Sequence, residues 1–202
     1  MALESSTSIR RWLVKSRAWI GILILIPFAI GELVFPPLVV EETIGDFLLD
    51  LIAWMTFIAG ATFRWWATLY IGGRKNTGVI CDGPYSICRN PLYVGTFLIV
   101  LSIVLFLHSA LFAVGLIVAS VFYLGVTIPV EERILRERFG DEYACYMAQV
   151  PRLVPALKRV ESPPVIDVRL SGLVTEYGRT WRWIWVPLLS EVVAHLRVDT
   201  WR

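Results

Sequence analysis

The chain has 202 residues, 56% of them hydrophobic and only 18% charged, with a mean hydropathy of +0.65. A soluble domain would be nearer a quarter charged, so the surplus apolar surface is expected to face lipid. The formal net charge of +2 is too small for a nucleic-acid binder, and no basic stripe with interleaved aromatics occurs.

In chain order, the apolar runs predict four membrane crossings, each needing about 20 residues to traverse about 30 Å of hydrocarbon. The first covers residues 18–35 and ends at Pro36-Pro37; without a small-residue cleavage site it reads as a retained span, not a signal peptide. Residues 47–71 form a longer second span, 92–107 a short third and 110–128 a fourth. Arg10, Arg11, Lys15 and Arg17 precede the first span, and Glu41, Glu42 and Asp46 fill the loop after it. Arg74, Lys75 and Arg89 follow the second span; Arg133, Arg136, Arg138, Arg152, Lys158 and Arg159 follow the fourth. Basic residues on alternate loops orient both termini toward the cytosol. The expected fold is therefore an all-α, multi-span membrane bundle.

No Ser/Gly-rich linker divides the chain, so residues 1–155 read as one membrane domain with its chemistry at about 69–155. Residues 156–202 form an extension. There Glu161-Ser162-Pro163-Pro164 reads as a turn, and Trp181, Trp183 and Trp185, with residues 186–196, as an interfacial helix broken by Pro187. It is an anchor on this reading, with an active-site lid as the alternative. The three cysteines, Cys81, Cys88 and Cys145, show no metal-ligand spacing with the two histidines and read as reduced cytosolic thiols, so no metal is expected.

Two polar stretches bracket the hairpin made by the third and fourth spans. The first runs Gly83-Pro84-Tyr85 to Arg89-Asn90-Pro91-Leu92-Tyr93, the second from Glu131-Glu132 to Phe139-Gly140-Asp141-Glu142-Tyr143. If the hairpin crosses a bilayer and returns, both land on one membrane face. Asn90 reads as an N-cap and Pro91 as a first-turn residue, so the third span offers free N–H groups and a positive dipole end to a carboxylate or phosphate. Arg89 adds a charged donor, and Tyr85 and Tyr93 add flat faces for an adenine or a cation. Adjacent helical residues point about 100° apart, so one glutamate at most faces a shared pocket. Glu132 pairs with Arg136 on an exposed face in this reading, which leaves Glu131 inward. Arg64, beside Trp65 and Trp66, is either a snorkelling arginine or an anion ligand. Glu32 reads as an interfacial carboxylate, and His108, in the outer turn, has no assigned chemistry.

The ordered set, with Val150-Pro151-Arg152-Leu153-Val154-Pro155 at its end, resembles the isoprenylcysteine carboxyl methyltransferase family and its relatives, the small membrane phospholipid N-methyltransferases. The resemblance covers about residues 69–155. It implies S-adenosylmethionine as cofactor, contacted by Thr77, Gly78, Val79, Ile80, Tyr85, Asn90, Pro91, Leu92, Tyr93 and Glu131. The family usually has His where this chain has Asn90, while the phospholipid-modifying relatives also use Asn-Pro-x-Tyr. Prenylcysteine enzymes carry an arginine for the substrate carboxylate where this chain has Thr127. Arg64, Arg89 and Arg152 remain as substrate-binding candidates. The implied partners are the lipid bilayer and a lipophilic methyl acceptor, carboxylate or amine. No histidine lies near the motifs, so no general base is nominated. The competing readings are a membrane reductase using NADPH on a lipid or sterol, and a non-catalytic membrane assembly protein.

Overall fold

The computed structural model describes residues 2–31, 43–72, 78–168, 170–190 and 192, with side chains from Trp12 and then from Ser16 onward. Among these residues the structure is all helix, turn and loop. Helix α1 spans Ala2–Gly31, with Pro27 inside it, and α2 spans Ile44–Ile71. Thr43 caps α2 by accepting a hydrogen bond from the Asp46 N–H at 3.2 Å. A single turn, α3 (Pro84–Ile87), precedes α4 (Pro91–Phe106). Helix α5 (Ala110–Phe122) passes through one wide turn, Tyr123–Thr127, into α6 (Ile128–Gln149), which is broken at Gly140 (φ 56°). The last defined helix is α7 (Leu170–Trp183). The helix that carries the first predicted span thus starts sixteen residues before it, while its apolar stretch begins at Ser16; the predicted end, with Glu32 and Pro36-Pro37, lies outside the described residues.

Two helical stretches are long and apolar enough to cross a membrane: Ile44–Ile71 and the 40-residue run Ala110–Gln149. Only 17% and 28% of their most apolar windows is buried inside the protein, unlike a soluble core helix. Two more apolar stretches, Ser16–Gly31 and Pro91–Phe106, are shorter. The outward faces carry Leu48, Leu51, Ile52, Met55 and Ile58 on α2, and Val114, Ile117, Val118 and Val121 on α5.

Helices α2 and α4 make the closest crossing, because glycine sits on both sides of it. A Cβ on Gly60 would stand 2.8 Å from the Gly95 carbonyl oxygen, and one on Gly95 2.7 Å from that of Gly60. Helix α1 lies against α5, with Phe28 over Gly115 and Leu111 over Gly31. The wide turn has a cause in Pro129, which has no N–H for a carbonyl one turn back. The helix absorbs this just upstream, where the Ile128 N–H reaches five residues back to the Tyr123 carbonyl. Helices α4 and α5 are joined through Leu107, His108 and Ser109, with Ser109 capping α5 by accepting from the Phe112 N–H at 3.0 Å.

The extension differs from its predicted form. Its helix starts at Leu170 and stops at Trp183, so the break falls before Pro187, which is buried inside a second helical piece over 185–190. Helix α7 packs on the protein through one face, and Trp181 and Trp185 stay exposed. Glu176 of α7, 1% exposed, takes both arms of Arg64 at 2.7 and 3.2 Å, and Trp65 donates to Thr180 at 2.9 Å. Residues 193–196 lie outside the described part.

Candidate functional site at the polar ends of the helical hairpin

Gly83 opens the first polar stretch at φ 58°, with the Tyr70 ring where a Cβ would stand, so only glycine fits. Pro84 then starts α3. The stretch is tied to the segment after α6: the Gly83 N–H donates to the Glu161 carbonyl at 2.6 Å and the Glu161 N–H to Ser86 Oγ at 3.0 Å. The Ala156 N–H donates to the Ile87 carbonyl and the Arg89 N–H to the Pro151 carbonyl, both at 2.9 Å. These bonds fix Tyr85 and Arg89 from both sides.

Asn90 does not cap α4 with its side chain. Its Nδ2 donates instead to the Arg152 carbonyl at 3.1 Å and to Glu132 Oε1 at 3.4 Å. Glu132 is the centre of the site, which corrects its reading as a solvated partner of Arg136. It is 4% exposed, with Arg89 Nε 3.1 Å from one carboxylate oxygen and Arg152 Nη2 2.9 Å from the other. One buried carboxylate thus joins Arg89 and Asn90 from before α4 to Arg152 from after α6.

Glu131 faces another way. It pairs with Arg17 of α1, and Arg17 Nη1 also donates to the Tyr93 hydroxyl at 3.1 Å with its guanidinium 5.4 Å from the ring centroid. Tyr123, in the wide turn, donates to the Arg17 carbonyl at 2.7 Å and meets Tyr93 edge-on at 5.6 Å. The two glutamates therefore hold two adjoining clusters, one on each side of the α4 start.

Of the other sequence-nominated residues, Tyr85 is buried among Ala67, Tyr70 and Ile80. Its carbonyl accepts from the Tyr146 hydroxyl at 2.7 Å, while its own hydroxyl is buried and makes no hydrogen bond. Burial chiefly, with Cys88 nearby, pushes the Tyr85 hydroxyl above its usual range against the opposing pull of Arg64, so it stays a neutral O–H. The Cys88 thiol is pushed up to about 12, again by burial. Gly78 and Val79 are half-buried, and the Val79 N–H points to Glu142 at 3.4 Å. Thr77 lies outside the described residues. Pro91 and Leu92 sit in the first turn of α4, where the Leu92 carbonyl accepts from Arg64 at 3.1 Å. Arg64 neither snorkels nor lies open: it is 8% exposed, bound to Glu176 and to Thr96, and lies 4.7 Å over the Trp183 ring. Thr127 is buried.

Two hollows adjoin the site. A polar groove of about 450 Å³ opens beside Arg89, Arg152, Gln149 and Arg159. An apolar cleft of about 280 Å³ lies between α4 and α5, lined by Val94, Phe97, Leu101 and Leu116 and closed by Leu153 and Val154, next to Arg152. Sequence reasoning missed Glu132, Arg17 and Glu176. Pro129 was the available signal for Glu132, because a proline there shifts the helical phase before the paired acids.

Two helices long and apolar enough to cross a membrane, with a charged cluster at one end of a hairpin beside an apolar cleft, suit an integral membrane protein. The phospholipid methyltransferase family matches residues 42–142, half of the chain, and the protein belongs to that family. It is 32% identical over 130 residues to the cobalt-zinc-cadmium resistance protein CzcN of Cupriavidus metallidurans, covering 64% of this chain and 58% of that one. It is 35% identical over 107 residues to the nickel-cobalt-cadmium resistance protein NccN of Alcaligenes xylosoxydans xylosoxydans, covering 52% and 50%. The chain thus spans little more than half the length of these curated relatives. No solved structure matches.

Proposed function

We propose that this protein is a multi-pass membrane methyltransferase that takes its methyl group from S-adenosylmethionine and delivers it to a lipophilic amine. The catalytic half is residues 69–155, α1, α2, α4 and α5 each cross the bilayer, and both termini are cytosolic. The observation that carries this reading is the joining of the two motifs through Glu132, which brings Arg89, Asn90 and Arg152 to one place.

The donor set fits such a cofactor. An amino-acid moiety needs cation and carboxylate side by side; Arg89 and Arg152 offer the first, Glu132 and Glu131 the second. The buried Tyr85 hydroxyl has a hydrogen bond still to give, and Tyr85 and Tyr93 supply aromatic faces. Thr77, Gly78, Val79, Ile80, Pro91 and Leu92 complete the cradle in this proposal. When bound, the sulfonium supplies an electrophilic methyl group. The chain's own part is to hold both reactants in line and to exclude water, which contributes several kcal/mol by positioning.

Two observations favour an amine over a carboxylate acceptor. Thr127 stands buried where the prenylcysteine enzymes have an arginine, Arg64 is engaged by Glu176, and Arg89 and Arg152 serve the cofactor in this proposal. The apolar cleft between α4 and α5 gives an acyl chain a route in from lipid, and an apolar site keeps an amine neutral and nucleophilic. Both curated relatives are named for metal resistance; by analogy, the methylated product is proposed to serve a membrane exposed to such metals.

The test is incubation of the purified protein in micelles with methyl-labelled S-adenosylmethionine and either amino lipids or prenyl carboxylates. The expected result is label in the amino lipid, reduced at least a hundredfold in Glu132→Ala. Oxidation of NADPH with no methyl transfer would establish the reductase reading instead.

A further inference from the structure

At the other end of the hairpin, away from the glutamates, Asp46 and Asp50 stand one turn apart on α2, so both side chains share a face. His108, from the turn between α4 and α5, is inserted between them. Its imidazole is 4% exposed, with Nδ1 3.4 Å from Asp46 Oδ1 and Nε2 3.6 Å from Asp50 Oδ1. The buried Nε2 makes no hydrogen bond. A neutral imidazole has one N–H and one lone pair, so with a carboxylate oxygen facing each nitrogen, one lone pair meets another. A positive charge between the groups would turn that contact from repulsive to attractive.

The geometry points to a divalent transition-metal site formed by Asp46, Asp50 and His108. One donor atom from each residue can be chosen so that all three lie within 4.8 Å of one another. Donors about 2.0–2.2 Å from a common ion stand about 3.0–3.5 Å apart, so a small closure suffices. Two carboxylates and one imidazole suit zinc, cobalt, nickel or manganese; no thiolate joins the set, so soft ions are disfavoured. The turn carrying the ring is held independently, by the Ser109 cap and by the His108 N–H on the Leu105 carbonyl at 3.2 Å. The dipole at the start of α2 accounts for Asp46, but not for a buried histidine between two acids. The ion would clamp α2 to the α4–α5 turn.

The test uses the full chain in detergent, stripped with a chelator and titrated with Co²⁺ and then Zn²⁺. Expected are a visible cobalt band saturating at one equivalent, its displacement by zinc, and a metal-dependent rise in thermal midpoint. His108→Ala should abolish the band and Asp50→Asn weaken binding at least tenfold, with helix content by circular dichroism unchanged. Asp50→Asn, nearly isosteric, serves where His108→Ala fails to fold. Absence of saturable binding in the wild type, or unchanged affinity in a folded variant, would overturn the site. So would a thermal midpoint that follows pH through the imidazole range yet ignores metal, since the charge between the acids would then be a proton.

Discussion

Glu132 separates a decorative helix face from a functional one. A buried carboxylate held by Arg89, Arg152 and Asn90 leaves two cations unmatched when it is removed, and losing one partner of such a pair is strongly destabilising. Glu132→Ala is expected to cost about 3 kcal/mol, at the low end of that effect because Arg152 can turn to water. Arg136→Ala, on the exposed face, should change thermal unfolding in detergent by less than about 0.5 kcal/mol. Equal effects of the two variants would remove Glu132 from the centre of the site. A second prediction concerns the thiols. Cys88 is buried with its pKa pushed up to about 12, while Cys81 and Cys145 are exposed. Because the thiolate is the reactive form, maleimide should label the exposed Cys145 and leave the buried Cys88 unlabelled even when the pH is raised from 7 to 9, as read by peptide mass.

At the scale of elements, the apolar runs, the Pro91 helix start and the hairpin were legible, because hydrophobicity and proline act locally. Helix phase was not. The wide turn at Tyr123–Thr127 rotates everything beyond it by roughly one residue, about 100°, which is the angle between Glu131 and Glu132. Pairing Glu132 with Arg136 across one regular turn therefore put it on the solvated face, whereas it joins the Asn90 cluster. The docking of α7 was equally hidden, since Arg64 and Glu176 are 112 residues apart and no local pattern joins them. Two predictions belong here. Gly95→Ala places a methyl 2.5 Å from Arg64 Cγ and 2.7 Å from the Gly60 carbonyl, and should destabilise by about 1–3 kcal/mol through overpacking. Glu176→Ala leaves Arg64 buried and uncompensated, so it should lower the thermal midpoint and release the extension to proteolysis near residue 168. Unchanged proteolysis would show that α7 is held by its aromatic contacts alone.

For the whole molecule, the hairpin is the device that matters: it sets two polar clusters at opposite ends of a pair of apolar helices. One end gathers arginines and glutamates beside an apolar cleft, and the other gathers two aspartates and a histidine. The resemblance to membrane methyltransferases was readable from motif order and is matched by the family assignment. The Arg17 cluster was not, because it is completed by α1, far from either motif in sequence. Equilibrium binding of S-adenosylmethionine to the purified protein, by calorimetry in detergent, tests the common pocket most directly. One equivalent is expected to bind the wild type, with binding lost in Asn90→Ala and Glu132→Gln variants that retain their helix content. Unaltered affinity in both, or no saturable binding by the folded wild type, would contradict the common pocket.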